Sequence, residues 1–303
     1  MLPCLLDSIK AQDFRDYEVI VADADSRDGT RKTAAGYGCR VVDGGLPGVG
    51  RNAGAAVAKG ELLLFLDADV VLPHGFIRNV HDEMQDRYFD LATCEIRPLS
   101  NHRLDHVLHR VINLAVILNL RLDPKAFGFC IFVTRRLFDR VGGFDETIYV
   151  AEDNDFVRRA SVFRTLRYLT SAYIMVSIRR FEKEGRFAYM KKGVKLNLYR
   201  AFHGEIRSDK VVKYEFDSFD RPDDQDEGAF LDRIEKRLLK LEQKSLPTHG
   251  RDPRKKADGD VAGTHYEQMQ PSLKEFSHLI EDLDAYMGIE ERRIQKELRR
   301  KKK

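Results

Sequence analysis

The sequence predicts an α/β fold in which a mostly parallel sheet is flanked by helices and followed by a C-terminal helical extension. Strand-like and helix-like segments alternate through the first two hundred residues, which is typical of parallel strands joined by helical crossovers. An uninterrupted apolar run over residues 62–66 also leads into Asp67 and Asp69. Such a run predicts a strand buried on both faces, and acids at its carboxyl end lie where open α/β sheets bind ligands.

The predicted elements follow one another closely along the chain. The end of a helix at Leu5–Lys10 precedes the strand Tyr17–Ala22, and Asp28-Gly29-Thr30 is a typical start for the next helix. The remaining predicted elements are a strand at 40–42, a helix of small residues at 48–58, the strand before Asp67, a helix at about 74–87 and a strand at 91–96.

A change of character near residue 215 predicts a domain over residues 1–214 and a charged helical tail over 215–303. Residues 245–265 are rich in Pro, Gly and charge and predict a flexible linker. Two amphipathic helices flank it, which favours packing or homo-oligomer formation over catalysis. Their apolar positions are Phe230, Leu231, Ile234, Leu238 and Leu241, then Leu273, Phe276, Leu279, Ile280, Leu283 and Met287.

Composition excludes several classes of protein. The net charge of +3 is too small to indicate a nucleic-acid partner. The four cysteines lie far apart without a C-x-x-C pair, which favours reduced thiols in a cytoplasmic protein. No apolar stretch reaches the roughly 18–20 residues that span a bilayer, and the longest candidate, residues 111–122, predicts a core or interfacial helix.

The charge is nevertheless uneven along the chain. Residues 179–213 carry eleven Lys or Arg against four Asp or Glu, interleaved with apolar and aromatic side chains. This pattern is typical of peripheral contact with a membrane, here the inner face of the cell membrane, and equally of a basic helix packed on its own domain.

Two segments carry side chains suited to binding a nucleotide. Asp23 and Asp25 follow a predicted strand, where a carboxylate can accept hydrogen bonds from a nucleobase or a ribose hydroxyl. Arg51 lies among small residues at 48–54, and a fixed cation beside a close backbone suits a diphosphate. The segment lacks the Gly-Lys-Ser/Thr of a Walker loop. Each segment by itself also fits a plain turn or helix cap.

Two further segments are acidic. Asp67 and Asp69 offer hard carboxylate oxygens, which suit Mg²⁺ or Mn²⁺ when substrate phosphates complete the coordination. The spacing alone is weak evidence, because Asp-x-Asp occurs six times in this chain. Glu152 and Asp153 open a predicted helix, where they either complement its dipole or supply a base that deprotonates an attacking hydroxyl.

Taken in order, these segments resemble the family 2 glycosyltransferases of the GT-A (Rossmann-like) fold. The matching stretches are Val21 to Thr30, Arg51-Asn52-Ala53-Gly54 through Ala58-Lys59-Gly60, the Asp67/Asp69 strand, Gly142 to Glu146, and Glu152-Asp153. The resemblance covers residues 1 to about 200. It implies single displacement with inversion, from a nucleotide-diphospho-sugar donor to a sugar, polyol or lipid-linked acceptor, with Mg²⁺ or Mn²⁺ as cofactor.

The resemblance also implies roles for individual residues. Asp153 would be the general base and Glu152 its neighbour at the acceptor. The metal would be held by Asp69 together with Asp67, and Asp67 would also reach the ribose. The donor nucleotide would be bound by Asp23, Asp25, Arg51 and Asp67, together with Arg179 and Arg180 from a relaxed Gln-x-x-Arg-Trp motif in which Ser177 and Phe181 replace Gln and Trp.

One departure from the family pattern leads to an expectation about the amino terminus. Family members begin with an apolar strand before the helix that starts here near Leu2. That strand would be central in the sheet and would contribute to the nucleotide site. We therefore expect either a start farther upstream or a compromised protein, because unpaired buried backbone groups are costly.

Two other functions compete with glycosyl transfer. A catalytically impaired protein that binds nucleotide-sugars, or serves as a scaffold, is favoured by the absent strand and opposed by retention of both acidic pairs. A sugar-1-phosphate nucleotidylyltransferase shares the sheet type, but it needs a Gly-rich loop bearing Arg or Lys after the first strand, and none is evident.

Overall fold

The computed structural model describes residues 1–179, 182, 227–245, 270–283 and 285. The chain divides into two compact units, Met1–Phe219 and Asp220–Lys303. Three predicted features lie outside the described residues: the linker at 245–265 except for Ser245, Arg180, and nearly all of the basic segment 179–213.

The first unit alternates helices and strands along the chain, as predicted. Its helices are α1 (Leu2–Lys10), α2 (Thr30–Gly36), α3 (Pro47–Val57), α4 (Phe76–Asp86), α5 (Arg103–Asn119), α6 (Arg135–Val141) and α7 (Glu152–Ser161). Its strands are β1 (Ile20–Asp23), β2 (Arg40–Asp43), β3 (Leu62–Phe65), β4 (Val70–Val71), β5 (Leu91–Pro98), β6 (Ile131–Thr134) and β7 (Arg167–Val176).

The α/β class is confirmed, and the pairing of the described strands is mixed rather than mostly parallel. β1 and β2 form a parallel pair of their own. The other five strands form one sheet in the order β3-β6-β5-β7-β4, in which only β5 and β7 are parallel. Strand–helix alternation could not predict these directions, because a helical connection can also bring the chain back antiparallel.

Two apolar cores lie on opposite faces of the larger sheet. Alternate residues of β6 divide between them: Phe132 packs in one core, and Ile131 and Val133 pack in the other. Helices α1 and α4 contribute to the first core, and α3, α6 and α7 contribute to the second. Burial of these apolar faces is the main stabilising term of the unit.

The apolar run before Asp67 forms a strand, but the expectation that both faces are buried is wrong. Leu63 and Phe65 are buried, whereas Leu62 and Leu64 are only partly buried. The reason is the position of β3 at an edge of the described sheet: it pairs with β6, and no strand among the described residues lies against its other edge. Asp67 and Asp69 follow it in the connection to β4.

The second unit contains α8 (Glu227–Ser245) and a helical segment at 270–283. The predicted apolar face of α8 is confirmed, since Phe230, Leu231, Ile234, Leu238 and Leu241 are all buried. In the second helix Leu279 and Leu283 are buried, while Met287 lies outside the described residues.

Among the described residues, no helix is long and apolar enough to cross a membrane. Residues 111–122, the longest apolar candidate, lie mostly in α5, whose buried face includes Val111, Leu114, Ile117 and Leu118. This part of the prediction, a core helix, is confirmed.

Candidate active site

Arg51 connects two of the predicted acidic segments. Its Nη2 atom lies 3.2 Å from Oδ1 of Asp67, and its Nη1 atom donates a hydrogen bond to Oε1 of Glu152. The Arg51 side chain is only 13% exposed, and its Cζ atom lies 5.5 Å from the centre of the Phe144 ring. The two carboxylates raise the pKa of Arg51 against an opposing effect of burial. The sequence prediction that these three residues share a site is therefore consistent with the geometry.

Small residues of α3 place Arg51 close to the strands. A Cβ atom on Gly50 would lie 3.5 Å from Cβ of Ala22 in β1, and one on Gly48 would lie 3.5 Å from Cγ of Glu152. The glycines of residues 48–54 thus allow close packing of a helix on β1 and α7. They form no loop, since these residues lie within α3.

Asp153 lies at the start of α7 and is held by backbone donors. Gly128 N–H donates to its Oδ2 at 2.9 Å, and Asn154 N–H donates to its Oδ1 at 2.7 Å. Burial, followed by the negative charge of Glu152, raises the pKa of Asp153 to about 6, against a lowering effect of Arg51. A carboxylate with this pKa is ionised at neutral pH and still basic enough to accept a proton.

Gly128 has a second contact that the sequence analysis missed. A Cβ atom at this position would fall 2.1 Å from Nη2 of Arg51, so the guanidinium lies directly against the Gly128 backbone. One residue therefore contacts both Arg51 and Asp153. The only sequence signal was a glycine between Phe127 and Phe129, which by itself does not predict contact with residues 51 and 153.

Asn52 fixes the segment that precedes α7, and sequence reasoning assigned it no role. Its amide donates to the carbonyl of Phe144 and to Oε1 of Glu146, both at 2.9 Å. Its Oδ1 accepts from the N–H of Phe144, also at 2.9 Å. Adjacent glycines, Gly142 and Gly143, have positive φ angles of 80° and 70° and turn the chain toward Asn52. The two neighbouring residues Arg51 and Asn52 thus bind α3 to both ends of this segment.

Asp69 lies near a different cation. Its Oδ2 atom is 3.9 Å from Nη2 of Arg179, and its backbone carbonyl accepts a hydrogen bond from Ser177 N–H at 3.1 Å. The Arg179 side chain is 56% exposed, so it is accessible to a ligand. Arg180, the other predicted residue of this motif, lies outside the described residues.

Asp23 is held within its own loop at the end of β1. Its Oδ2 accepts from Ser26 N–H at 3.1 Å and lies 3.5 Å from Nη1 of Arg31. The hydrogen bonds with Ser26, together with the charge of Arg31, lower the pKa of Asp23. Asp25 has a positive φ angle of 58° and is exposed. The two residues remain candidates for contact with a nucleoside.

Asp67 and Asp69 can bind a divalent metal only if a ligand supplies the remaining donor atoms. Among the described residues, no group of three His, Cys, Asp or Glu side chains is arranged to hold a metal ion. Asp67 and Asp69 are 38% and 26% exposed, so their oxygens are accessible. Mg²⁺ is commonly bound by one or two carboxylates together with water and substrate phosphates, and this donor set suits that mode.

Residues 1–138 match the model of Glycosyl transferase family 2. Residues 1–138 therefore form a family 2 glycosyltransferase domain. The matched range includes Asp23, Arg51, Asp67 and Asp69 and ends before Glu152. No curated protein matches the chain.

Solved glycosyltransferase structures resemble the chain that contains this domain. One is the mannosyltransferase PcManGT from Pyrobaculum calidifontis in complex with GDP-Man and Mn²⁺, with a TM-score of 0.51 and 16% sequence identity. The match covers 93% of this chain and 83% of the PcManGT chain. Another is S. aureus TarS 1–349 in complex with UDP-GlcNAc, with a TM-score of 0.48 and 21% sequence identity. The match covers 58% of this chain and 54% of the TarS chain. This chain thus spans about half the length of the latter structure. The likeness to PcManGT shows a shared fold of the GT-A type.

Proposed function

We propose that the glycosyltransferase domain transfers a sugar from a nucleotide-diphosphate donor to a hydroxyl acceptor, with inversion and with Mg²⁺ or Mn²⁺. The observation that carries the proposal is the pair of contacts made by Arg51. Its guanidinium binds both Asp67, which follows β3, and Glu152, which opens α7. Donor-binding and acceptor-activating groups would therefore face the same space.

Asp153 is the residue proposed to activate the acceptor. Its carboxylate would accept the hydroxyl proton while the acceptor oxygen attacks the anomeric carbon opposite the departing diphosphate. A raised pKa of about 6 supports this role, because a base works best when its pKa lies near the working pH. Transfer should therefore increase as pH rises through about 6.

Arg51, Arg179 and the two aspartates are the residues proposed to bind the donor diphosphate. Asp67 and Asp69 would hold the metal, which when bound supplies charge neutralisation for the leaving group. Arg179 is exposed beside Asp69 and would pair with phosphate oxygens. Asp23 and Asp25 would contact the nucleoside from the end of β1.

A panel of nucleotide-sugars tests the proposal. Each donor is added with Mn²⁺, and binding is followed by thermal shift while release of nucleoside diphosphate reports transfer to water or to an added acceptor. The Asp69→Ala variant should lose the Mn²⁺-dependent shift. In contrast, Asp153→Asn should keep the shift and lose about 10²–10⁴-fold in turnover.

Asp86→Asn serves as the matched control, because Asp86 is an exposed carboxylate at the end of α4. It should leave both binding and turnover unchanged. Near-normal turnover in Asp153→Asn would contradict the role of this residue. Donor binding by the unmodified chain without any turnover would instead favour the impaired binding or scaffold protein.

A further inference from the structure

Cys94 and Cys130 bring two thiols into contact in the core of the first unit. Their Sγ atoms lie 3.4 Å apart, and the two residues are only 2% and 0% exposed. Cys94 belongs to β5, and Cys130 immediately precedes β6, the antiparallel neighbour of β5. Strand pairing thus places side by side two cysteines that lie 36 positions apart in the sequence. Neither has a role in the proposed transfer.

Hydrogen-bond donors surround the sulfur of Cys130. The hydroxyl of Thr93 and the backbone N–H of Cys94 each donate to it at 3.4 Å. Burial by itself raises the pKa of Cys130, but the hydrogen bonds from Cys94 and Thr93 outweigh burial and lower this pKa. Burial, followed by the hydrogen bond with Cys130, raises the pKa of Cys94 well above its ordinary value. The pair thus combines a sulfur suited to nucleophilic attack with a protonated thiol beside it.

We propose that Cys94 and Cys130 are a site of reversible oxidation, at which peroxide converts the two thiols into a disulfide. The Cys130 thiolate attacks one peroxide oxygen, which breaks the O–O bond, releases hydroxide and leaves a sulfenic acid on Cys130. The Cys94 sulfur then attacks the Cys130 sulfur, and the S–O bond breaks as water leaves. Two thiol protons and two electrons thus pass to the peroxide, which becomes two molecules of water.

The strand that carries Cys94 is weakly paired on both sides at this point. Its described ladder with β6 comprises Leu91 and Ala92 and ends before Cys94. Its parallel ladder with β7 shifts register between Cys94 and Glu95, and such an irregularity interrupts the hydrogen bonds of a sheet. Segments with interrupted pairing open locally at a lower free energy than the whole fold. Peroxide, which is small and uncharged, can therefore reach the buried pair without global unfolding.

A short turn connects this pair to the candidate active site. Cys130 N–H donates to the carbonyl of Phe127 at 2.7 Å, which closes a turn around Gly128. The N–H of Gly128 in turn donates to Asp153. A disulfide bond is shorter than the present contact between the sulfur atoms, so oxidation draws Cys130 toward its partner and shifts the turn. We therefore expect oxidation to loosen the hydrogen bond between Gly128 and Asp153.

Oxidation of the full chain with hydrogen peroxide tests the proposal without any measurement of glycosyl transfer. The remaining thiols are alkylated after denaturation, and the protein is digested without reductant. Of the four cysteines, Cys94 and Cys130 should lose their thiols together, and a linked peptide should appear that dithiothreitol separates. Half-conversion should need a peroxide dose about tenfold below that for Cys39, whose pKa is raised by burial.

Amide exchange tests the connection to the candidate active site. Exchange at Gly128 should be about tenfold faster or more in the oxidised protein than in the reduced protein, because its hydrogen bond is loosened. Dithiothreitol should restore the slow rate. The amides of α2, which lies outside this turn, should exchange equally in both states.

Matched cysteine variants separate the pair from general oxidation. Cys94→Ala should prevent the linked peptide and leave a sulfenic acid on Cys130, which dimedone traps. Cys130→Ala should give neither product. Cys39→Ala removes a partly buried cysteine between α2 and β2 and should leave both the linked peptide and the exchange response unchanged.

Two outcomes would overturn the proposed disulfide. In the first, Cys4 and Cys39 are oxidised while Cys94 and Cys130 stay reduced. In the second, the linked peptide forms only after urea has unfolded the protein. A linked peptide in the folded chain without any change of exchange at Gly128 would overturn the connection to the candidate active site. If an alanine variant does not fold, digestion of the unmodified chain still decides.

Discussion

At the scale of single residues, the ionisation of Asp153 couples stability to pH. Its pKa is raised to about 6 from an ordinary value of 3.8, mainly by burial and next by the charge of Glu152. A carboxyl with a raised pKa favours the folded state while it is protonated, and this contribution is lost as pH rises through about 6. Asp153→Asn should therefore gain stability relative to the unmodified protein between pH 4 and pH 7.

Urea unfolding of both proteins at pH 4, 5, 6 and 7 measures this difference. Asp86→Asn, which removes an exposed carboxylate, should follow the unmodified protein at every pH. A stability difference between Asp153→Asn and the unmodified protein that does not change with pH would mean that the pKa of Asp153 is not raised.

Asn52 supports a second prediction at this scale. Asn52→Ala removes three hydrogen bonds to the segment before α7 and leaves the Phe144 backbone groups without these partners. We expect a loss of about 1–3 kcal/mol in the free energy of unfolding, measured by urea denaturation. Asn101→Ala, at an exposed position, should change it by less than about 0.5 kcal/mol.

At the scale of secondary-structure elements, the contact of the Gly128 segment with α3 and α7 determines where the charged groups lie. Gly128→Ala would place a methyl group on the guanidinium of Arg51 and displace it from Asp67 and Glu152. The expected loss is about 1–3 kcal/mol of stability, together with weaker donor binding. Thermal shift with a nucleotide-sugar and Mn²⁺ measures the second effect.

Gly36→Ala is the matched control for this substitution. Gly36 lies in α2, where an added Cβ atom would meet nothing within 4 Å. It should be neutral or stabilising by up to about 1 kcal/mol, because alanine favours the helix. Equal effects of the two substitutions would argue against a special role for the space beside Gly128.

At the scale of the whole molecule, each of the two compact units has buried apolar residues of its own. The first unit has its two cores, and the second buries the apolar face of α8. We therefore expect residues 1–219 to fold without the rest of the chain, with a melting temperature within a few degrees of the full-length value. Circular dichroism melting measures it, and a chain that fails to melt cooperatively would contradict the prediction.

The sequence by itself determined the order and type of most elements and the candidate acids. Periodic apolar residues and cap residues are local signals, so β1, α2, α4 and α8 could be predicted from them. The order of motifs also predicted a shared site for the acids at 67, 69, 152 and 153. Both kinds of prediction depend only on which residues follow one another along the chain.

Only the tertiary structure decided which side chains meet and which of the described strands pair with one another. The roles of Gly128 and Asn52 depend on contacts across 25 and about 92 residues, and no local pattern encodes such distances. The partial burial of β3 likewise follows from its position at an edge of the described sheet. Local sequence sets backbone preference, whereas burial and pairing depend on which distant segment fills the adjacent space.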